Sequence, residues 1–292
     1  MSQSKAIMAV FGVAMVLAGC MAMGRSDMRD SQQAAASVER MYAIDCGENH
    51  ATDLSDWTSP EDAGKPYVFS VNCYLIRHTK GWMLWDSGNA DRIAAMPNGL
   101  VNARRTATYY MKKPLIESLR EIAVAPADIR YFAMSHSHAD HSGNANLFAA
   151  STIYMQGAEY DAVFGPEPAK FNFAAANFEK LRGANIVKLN GDHDVFGDGS
   201  VIIKSTPGHT PGHQALFVRL RKTGPVLLSG DFVHLRANWE AKRSPSINYS
   251  AEQTVRSMNE MDSFIKKTGA TLWINHDREQ SATIPKSPAF VD

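Results

Sequence analysis

The sequence predicts a layered α/β sandwich. Short apolar runs typical of buried strands alternate along the chain with amphipathic helical segments, and this alternation is the pattern of α/β domains. The chain of 292 residues is long enough for one large or two ordinary domains. Its formal net charge is zero and it has no dense basic run, so nucleic-acid binding is not favoured.

The N-terminal segment predicts export. Lys5 precedes the apolar stretch 6–18, which is short for a membrane span and suits a signal peptide. The stretch ends in Leu17-Ala18-Gly19-Cys20, which is similar to a bacterial lipobox, so residues 1–20 are predicted to be a signal peptide and Cys20 a lipidated residue. The alternatives are cleavage after a small residue such as Ala22, and an uncleaved anchor.

Each of these alternatives places the rest of the chain in the periplasm or cell envelope. Residues 21–40 are polar and rich in alanine and are predicted to be a flexible tether, followed by one folded domain over residues 41–292. In an oxidising compartment Cys46 and Cys73 could form a disulfide, and two separate buried thiols are the alternative.

The predicted elements follow in chain order. Strands 68–76 and 82–85 flank a turn and form a hairpin, and a helix begins at Pro114. Later helices are predicted over 169–181 and 251–267, the second ended by Gly269. Strands are predicted over 131–134, 152–155, 186–189, 201–203, 214–220, 225–229 and 271–274. Four aromatic residues are assigned to the core rather than to a substrate site: Phe69, Trp82, Phe173 and Trp239.

The polar loop after strand 131–134 is the most informative segment. It carries His136, His138, Asp140 and His141 within six residues, and imidazole nitrogen and carboxylate oxygen are the ligands that zinc-like divalent metals prefer. Four such groups cannot all surround one ion from so short a loop. We therefore expect His136 and His138 to face one metal, and Asp140 and His141 a second. The alternative is a polar cap on a helix that begins near Ser142.

Three other strand ends deliver ligands of the same type. His209 follows strand 201–203 in a turn with two Pro-Gly pairs, Asp231 follows strand 225–229, and His276 follows strand 271–274. His213 competes with His209 for the same role. The recurrence of a buried strand followed by a metal-type ligand predicts one shared metal site.

The order of these ligands resembles the metal motif of the metallo-β-lactamase superfamily, His-x-His-x-Asp-His followed by a His, an Asp and a last His. The resemblance implies a four-layer αββα sandwich, the metallo-β-lactamase fold, and two divalent metal ions, with zinc first among the choices. It assigns His136, His138 and His209 to the first metal, Asp140, His141 and His276 to the second, and Asp231 to both. It also favours His209 over His213, which then has a structural role.

Within the superfamily, residues 71–279 most resemble the N-acyl-homoserine lactonases. The likeness rests on segments 72–76, 86–88 and 206–214 and on Asp277 with Glu279-Gln280 behind it. These lactonases commonly carry a Tyr three residues after the bridging Asp, where this chain has His234. Imidazole also donates hydrogen bonds, so His234 is a candidate donor to the substrate carbonyl, with an ordinary loop residue as the alternative. Asp86 and Asp277 are candidates for orienting ligand histidines, with surface carboxylates as the alternative.

The predicted function is hydrolysis of the lactone ring of N-acyl-homoserine lactones. A hydroxide shared by the two metals would attack the carbonyl carbon, because two divalent ions lower the pKa of a water from about 16 toward neutrality. Asp140 would carry the proton to the leaving oxygen, and His234 would donate to the carbonyl oxygen.

Three other functions compete with this prediction. A periplasmic metallo-β-lactamase generally lacks an Asp where Asp231 stands, and a glyoxalase-type thioesterase usually has a helical region after its last His. A non-catalytic metal-binding lipoprotein is expected to lack a ligand, and none is missing. The predicted partners are a lactone substrate, the membrane through the lipid anchor alone, and a second copy in a homodimer, as the family suggests.

Overall fold

The computed structural model describes residues 37–292. The predicted signal peptide, Cys20 and most of the predicted tether lie outside these residues. Within these residues the first strand begins at Val38, so residues 38–40 of the predicted tether belong to a strand. Within residues 37–292, each helix is too short or too polar to cross a bilayer.

Thirteen strands and six α-helices build the described part of the chain. The strands are β1 Val38–Ala51, β2 Tyr67–His78, β3 Gly81–Trp85, β4 Leu100–Val101, β5 Ala107–Tyr110, β6 Ile129–Ala133, β7 Thr152–Gln156, β8 Ile186–Leu189, β9 His193–Asp194, β10 Val201–Ser205, β11 Gln214–Arg219, β12 Pro225–Leu228 and β13 Thr271–Trp273. The helices are α1 Leu115–Glu121, α2 Ala139–Ser142, α3 Gly157–Phe164, α4 Arg236–Ala241, α5 Ala251–Thr268 and α6 Arg278–Thr283.

The strands form two sheets. The first sheet has the order β4-β5-β1-β2-β3-β6-β7-β8, antiparallel as far as β3 and parallel from β3 to β8. The second has the order β13-β12-β11-β10-β9, in which β12 and β13 are parallel. Because β11 is antiparallel to both β10 and β12, the strands β10, β12 and β13 all end at the same edge.

Three apolar cores separate four layers. Between the sheets, Met41, Tyr74 and Trp85 of the first sheet belong to one cluster with Val201 and Leu216 of the second. Helices α1 and α3 cover the outer face of the first sheet with apolar side chains that include Leu115, Leu119 and Val163. Helix α5 covers the outer face of the second sheet, where Met258 and Met261 pack with Phe217 and Leu227. The predicted αββα sandwich is confirmed.

The predicted helix over 169–181 is wrong. This segment forms two 3-10 helices, Pro168–Phe171 and Ala175–Gly183. Between them Asn172 adopts a left-handed φ of 59°, which ends the first one, and Phe173 is buried in the outer core. This break leaves the Phe171 carbonyl free to accept a hydrogen bond from the metal-site loop.

The sequence does not predict the longest strand, β1. Its apolar residues are interrupted by charged ones, and its pairing with β2 shifts register between Asp45 and Glu48, so no regular alternation is visible. The pairing of β1 with β2 brings Cys46 and Cys73 together in a disulfide. The alternative of two separate thiols is therefore not what the structure shows.

Candidate metal centre

The seven predicted ligand residues meet at one edge of the sandwich. His136 and His138 lie in the loop after β6, and Asp140 and His141 lie in the short helix α2 that follows. The other three follow the ends of β10, β12 and β13: His209, Asp231 and His276. The strand β6 belongs to the first sheet and β10, β12 and β13 belong to the second. Both sheets therefore contribute ligand residues, and in each case the ligands follow the carboxyl end of a strand.

Three imidazoles form a first group. Nε2 of His136 lies 2.9 Å from Nδ1 of His138. Nε2 of His209 lies 3.1 Å from the same His136 atom and 2.9 Å from the same His138 atom. Three nitrogens from two separate loops thus face one point.

Asp140, His141 and His276 form a second group. The Nε2 atoms of the two histidines are 3.3 Å apart. Oδ2 of Asp140 lies 3.6 Å from Nε2 of His276 and 3.8 Å from Nε2 of His141. The Asp140 carboxylate is oriented by Asn49, whose amide donates a hydrogen bond of 2.7 Å to Oδ2.

Asp231 lies between the two groups. Its Oδ2 is 3.4 Å from Nε2 of His209 and 3.7 Å from Nε2 of His136. Its Oδ1 is 3.3 Å from Nε2 of His141 and 3.1 Å from Nε2 of His276. One carboxylate therefore reaches both groups, as expected for a bridging ligand.

Backbone carbonyls fix the orientation of two of the five histidines. The Phe171 carbonyl is 3.1 Å from Nε2 of His138, and the Ser70 carbonyl is 2.7 Å from Nδ1 of His276. A carbonyl only accepts hydrogen bonds, so these two nitrogens carry the ring protons. The opposite nitrogens, which face the cluster, present lone pairs.

Side chains fix the other three histidines in the same way. Nδ1 of His209 donates to Oδ1 of Asn248, and Nδ1 of His141 lies 3.0 Å from Oδ2 of Asp86. The Ser135 hydroxyl lies 3.1 Å from Oδ2 of Asp86, to which it donates, and 3.1 Å from Nδ1 of His136, from which its oxygen can accept. Partners of this kind orient metal-ligating histidines and select the tautomer.

The donor set fits divalent metal ions. With their ring protons directed outward, the three nitrogens of the first group bring lone pairs within about 3 Å of each other, which is repulsive unless a cation lies between them. Tetrahedral zinc with Zn–N distances of about 2.0–2.1 Å places neighbouring ligand atoms about 3.3 Å apart. In addition, the buried Oδ1 of Asp231 has no well-aligned hydrogen-bond donor within residues 37–292.

The charges of the cluster point the same way. Burial lowers the pKa of His138 to about 4 and the pKa values of His136 and His209 well below the usual range, so these rings stay neutral. Burial would also lower the pKa of His141, but the carboxylates of Asp231, Asp86 and Asp140 outweigh it and raise that pKa well above its usual value. The second group therefore attracts positive charge.

The other predicted polar residues take different places. His213 does not join the ligand atoms: its Nε2 accepts a hydrogen bond of 2.8 Å from the backbone N–H of Asp231. Asp86 orients His141, as one of its two alternatives predicts. Asp277 orients no histidine; it caps α6 through Gln280 and accepts from the backbone N–H of Arg236, so that candidate role is wrong.

His234 is buried in the cluster. Its Nε2 lies 3.1 Å from Oδ2 of Asp231, and its ring centroid lies 5.0 Å from that of His209. Its Nδ1 has no hydrogen-bond partner in the described part of the chain. The residue is thus part of the site rather than an ordinary loop residue.

A cavity of about 340 Å³ opens onto this cluster, and its wall includes His138, Asp140, His209, Asp231, His234 and His276. Beyond the metal-type ligands it is lined by the aromatic residues Trp57, Phe69, Phe171 and Tyr249 and by the basic residues Arg104 and Lys170. Phe69 is buried in a core cluster with Leu235, as predicted, and also borders this cavity. Phe173 supports the His138 ring, with centroids 5.6 Å apart, and Trp82 and Trp239 are not part of the wall.

Apart from Asp86, the residues that hold the ligands are ones that the sequence does not reveal. Asn49 and Asn248 are single polar residues, one inside an irregular strand and one in a loop, and neither belongs to a local motif. Ser135 is the exception, because it directly precedes the histidine loop.

The sequence was compared with sequence models of known protein families. The model of the metallo-beta-lactamase superfamily matches residues 66–265, which is more than half of the chain. The chain belongs to the metallo-β-lactamase superfamily.

Two relatives within this superfamily are N-acyl homoserine lactonases. The N-acyl homoserine lactonase AttM of Rhizobium radiobacter is 33% identical over 235 residues, which cover 78% of this chain and 89% of the relative. An N-acyl homoserine lactonase of Bacillus sp is 28% identical over 260 residues, which cover 87% of this chain and 100% of the relative. The chain is a metal-dependent hydrolase of the superfamily, related to lactonases.

A solved structure shows the same relationship. It is that of an N-acyl homoserine lactone hydrolase with the product N-hexanoyl-L-homoserine bound at the catalytic metal centre. It is 26% identical to this chain, with a TM-score of 0.74, and the match covers 87% of this chain and 100% of that one.

Proposed function

We propose that this superfamily hydrolase opens the lactone ring of N-acyl-homoserine lactones and uses two divalent metal ions, with zinc as the first choice. One observation supports this most strongly. In each of five histidines, one ring nitrogen is hydrogen-bonded to a partner outside the cluster, so that the lone pair of the other nitrogen faces one of the two groups. The two carboxylate oxygens of Asp231 reach both groups. The relatives named above make lactones the first substrates to test.

The two groups would hold the two ions. His136, His138 and His209 are proposed to hold the first and Asp140, His141 and His276 the second, with Asp231 between them. Divalent ions in such a site act as Lewis acids, which lower the pKa of water and polarise a carbonyl group.

Asp140 is proposed to move the proton. It is a proposed ligand of the second ion, its Oδ2 accepts a hydrogen bond from the Asn49 amide, and the residue lies in the cavity wall. When water attacks the carbonyl carbon, a proton is released; when the ring C–O bond breaks, the leaving oxygen needs one. A carboxylate beside both atoms can accept the first proton and deliver the second.

His234 is proposed to position the substrate carbonyl. Its ring lies in the cavity wall, and its Nε2 lies 3.1 Å from Oδ2 of Asp231, on the side of the ring that faces the ligand cluster. The position is the one at which the lactonases commonly have a Tyr. A donor placed there stabilises negative charge that develops on the carbonyl oxygen.

The cavity wall suits an amphipathic substrate. Trp57 and Phe69 are 5.2 Å apart between ring centroids and offer an apolar surface beside the metal ligands. Arg104 and Lys170 lie in the same wall. A lactone head with an amide and an apolar chain would use both kinds of surface.

The test is a substrate panel with zinc-loaded protein. N-hexanoyl-homoserine lactone should be hydrolysed with a higher kcat/KM than nitrocefin or S-lactoylglutathione, and ring opening is measured by chromatography of the acyl-homoserine product. The protein should carry about two metal equivalents. Faster turnover of nitrocefin or of the thioester would replace the proposal by a β-lactamase or a thioesterase. Full activity with less than one metal equivalent would exclude the two-ion site.

We also propose that Cys20 is lipidated and holds the enzyme at the cell envelope. Radiolabelled palmitate should be incorporated into the expressed full-length chain and not into the variant Cys20→Ser, which should move from the membrane fraction to the soluble fraction. Labelling that persists in this variant would exclude Cys20 as the anchor. The homodimer stays a prediction, which light scattering can test.

A further inference from the structure

Glu159 is a buried carboxylate outside the ligand set. It lies in the first turn of α3 and is 2% exposed. It accepts three hydrogen bonds: its Oε1 from the backbone N–H of Ser137 at 2.8 Å, and its Oε2 from the Thr210 hydroxyl at 2.7 Å and the backbone N–H of Gly212 at 3.0 Å. All three partners are neutral donors, so Glu159 forms no ion pair through these contacts.

The donors to the Glu159 carboxylate lie next to the three histidines of the first group. Ser137 lies between His136 and His138, and Thr210 directly follows His209. One carboxylate therefore joins the two loops that supply the three imidazoles of the first group. The second group is held by other residues, with His141 bonded to Asp86 and His276 to the Ser70 carbonyl.

The loop after β10 approaches α3 as closely as the backbone permits. A Cβ atom on Gly212 would lie 2.3 Å from the backbone nitrogen of Glu159 and 2.6 Å from its Cβ. Only glycine allows this approach, which brings the N–H of residue 212 to the carboxylate. The small size of Gly212 and the hydrogen bond to Glu159 thus both determine how far the loop after β10 lies from the first turn of α3.

We propose that Glu159 is a positioning residue that sets the spacing of the first metal group and so the affinity of its ion. This inference rests on the proposed two-metal function. It assigns Glu159 no contact with substrate or metal. Its effect passes through Ser137 to His136 and His138, and through Thr210 to His209.

The chemistry of the carboxylate makes a sharp variant possible. Both oxygens of Glu159 accept, whereas Gln has one acceptor oxygen and one donating NH₂ group. Either orientation of the Gln amide places its NH₂ group against a backbone N–H, that of Ser137 or that of Gly212. Glu159→Gln must therefore lose at least one of the two backbone links while keeping the size of the side chain.

The experiment measures zinc affinity at each site by competition with a chelator. Glu159→Gln should weaken the first site about 10- to 100-fold, as other residues that orient metal ligands do, and leave the second unchanged. Two double variants identify which of the two metal sites is weakened. In His276→Ala, which impairs the second site, Glu159→Gln should weaken the remaining ion. In His209→Ala, which impairs the first, it should have no further effect.

Two matched controls separate this role from general destabilisation. Asp161→Asn makes the same chemical change at an exposed position of α3 and should bind both ions as the wild type does. Thr210→Val removes one hydrogen-bond donor to Glu159 while Glu159 itself is unchanged, and it should weaken zinc binding at the first site. Thr210→Ser keeps the hydroxyl and should bind zinc at this site as the wild type does. If Glu159→Gln fails to fold, the Thr210 pair decides the question.

The outcomes distinguish this inference from the proposed function. A wild-type protein that binds no zinc would exclude the two-metal function itself. A wild type with two ions, combined with a Glu159→Gln variant that keeps both affinities or loses them equally, would overturn the role of Glu159 alone.

Discussion

Nδ1 of His209 donates a hydrogen bond of 2.8 Å to Oδ1 of Asn248, a residue 39 positions later in the chain. The Asn248 amide nitrogen donates in turn to the Thr254 hydroxyl at 3.0 Å, in the first turn of α5. Because the amide nitrogen is occupied by Thr254, the amide oxygen faces the imidazole. The helix that covers the second sheet thus determines which nitrogen of His209 faces the first group.

Asn248→Ala should therefore weaken the first metal site about 10- to 100-fold, because His209 loses the acceptor that fixes its tautomer. Asn248→Asp keeps an acceptor oxygen and should retain most of the affinity. Zinc competition with a chelator measures both. Asn259→Ala, at an exposed position of α5, is the control and should match the wild type. Equal affinities for Asn248→Ala and the wild type would show that the hydrogen bond does not matter.

Asp231→Asn should lose at least about 100-fold in kcat/KM, because an amide offers one acceptor oxygen where the carboxylate offers two to the two groups. The amide NH₂ group would also face histidine nitrogens in one of the groups. Steady-state kinetics with an acyl-homoserine lactone measure the loss, and circular dichroism should show an unchanged fold. A variant that retains wild-type turnover with both ions bound would remove Asp231 from the mechanism.

His234→Phe should lower kcat about 10- to 100-fold while both ions remain bound, because a hydrogen-bond donor to the carbonyl is lost while an aromatic ring still fills the position. His234→Tyr, which introduces the residue common in lactonases, should retain more activity than His234→Phe. Kinetics and metal analysis of the two variants test this role. Loss of a metal ion from His234→Phe would instead make His234 a ligand, which its 3.1 Å contact with Asp231 also permits.

The sequence predicts the fold and the ligand set because both are encoded locally. Each ligand follows an apolar strand, and parallel or equivalently directed strands end at a common edge, so the meeting of distant ligands such as His136 and His276 can be inferred. The helix predicted over 169–181 fails for a local reason as well. Asn172 takes a left-handed conformation that the helical pattern around it does not signal.

Asp86 apart, the supporting residues are not predicted, because their roles depend on tertiary contacts. Asn49 bonds Asp140 across 91 positions, and Glu159 bonds Ser137 across 22 and Gly212 across 53. A single Asn or Glu outside a motif has no sequence feature that distinguishes it from a surface residue. Such residues are recognised only once packing shows them buried and aimed at a ligand loop.

His78 is a buried histidine outside the metal centre, at the other end of β3 from Asp86. Its Nδ1 accepts from the backbone N–H of Lys80 at 3.0 Å, and its Nε2 lies 2.9 Å from Oδ2 of Asp198. Its ring stacks on Phe196 with centroids 3.8 Å apart. These contacts join the β2–β3 turn to the loop between β9 and β10. Burial lowers the pKa of His78, and the opposing effect of Asp198 does not fully restore it.

This lowered pKa makes stability depend on pH in a defined direction. In the unfolded chain the pKa of His78 is about 6.5, so below this pH the unfolded chain binds a proton that the folded chain binds only at lower pH. Acidification therefore favours unfolding. Above this pH, His78 is neutral in both states and does not change the stability. Urea unfolding of the zinc-loaded protein should therefore show lower stability at pH 5.5 than at pH 7.5. His78→Gln cannot titrate and should reduce this difference, whereas His50→Gln, at a half-exposed position, should not. An unchanged pH dependence in His78→Gln would contradict the assignment.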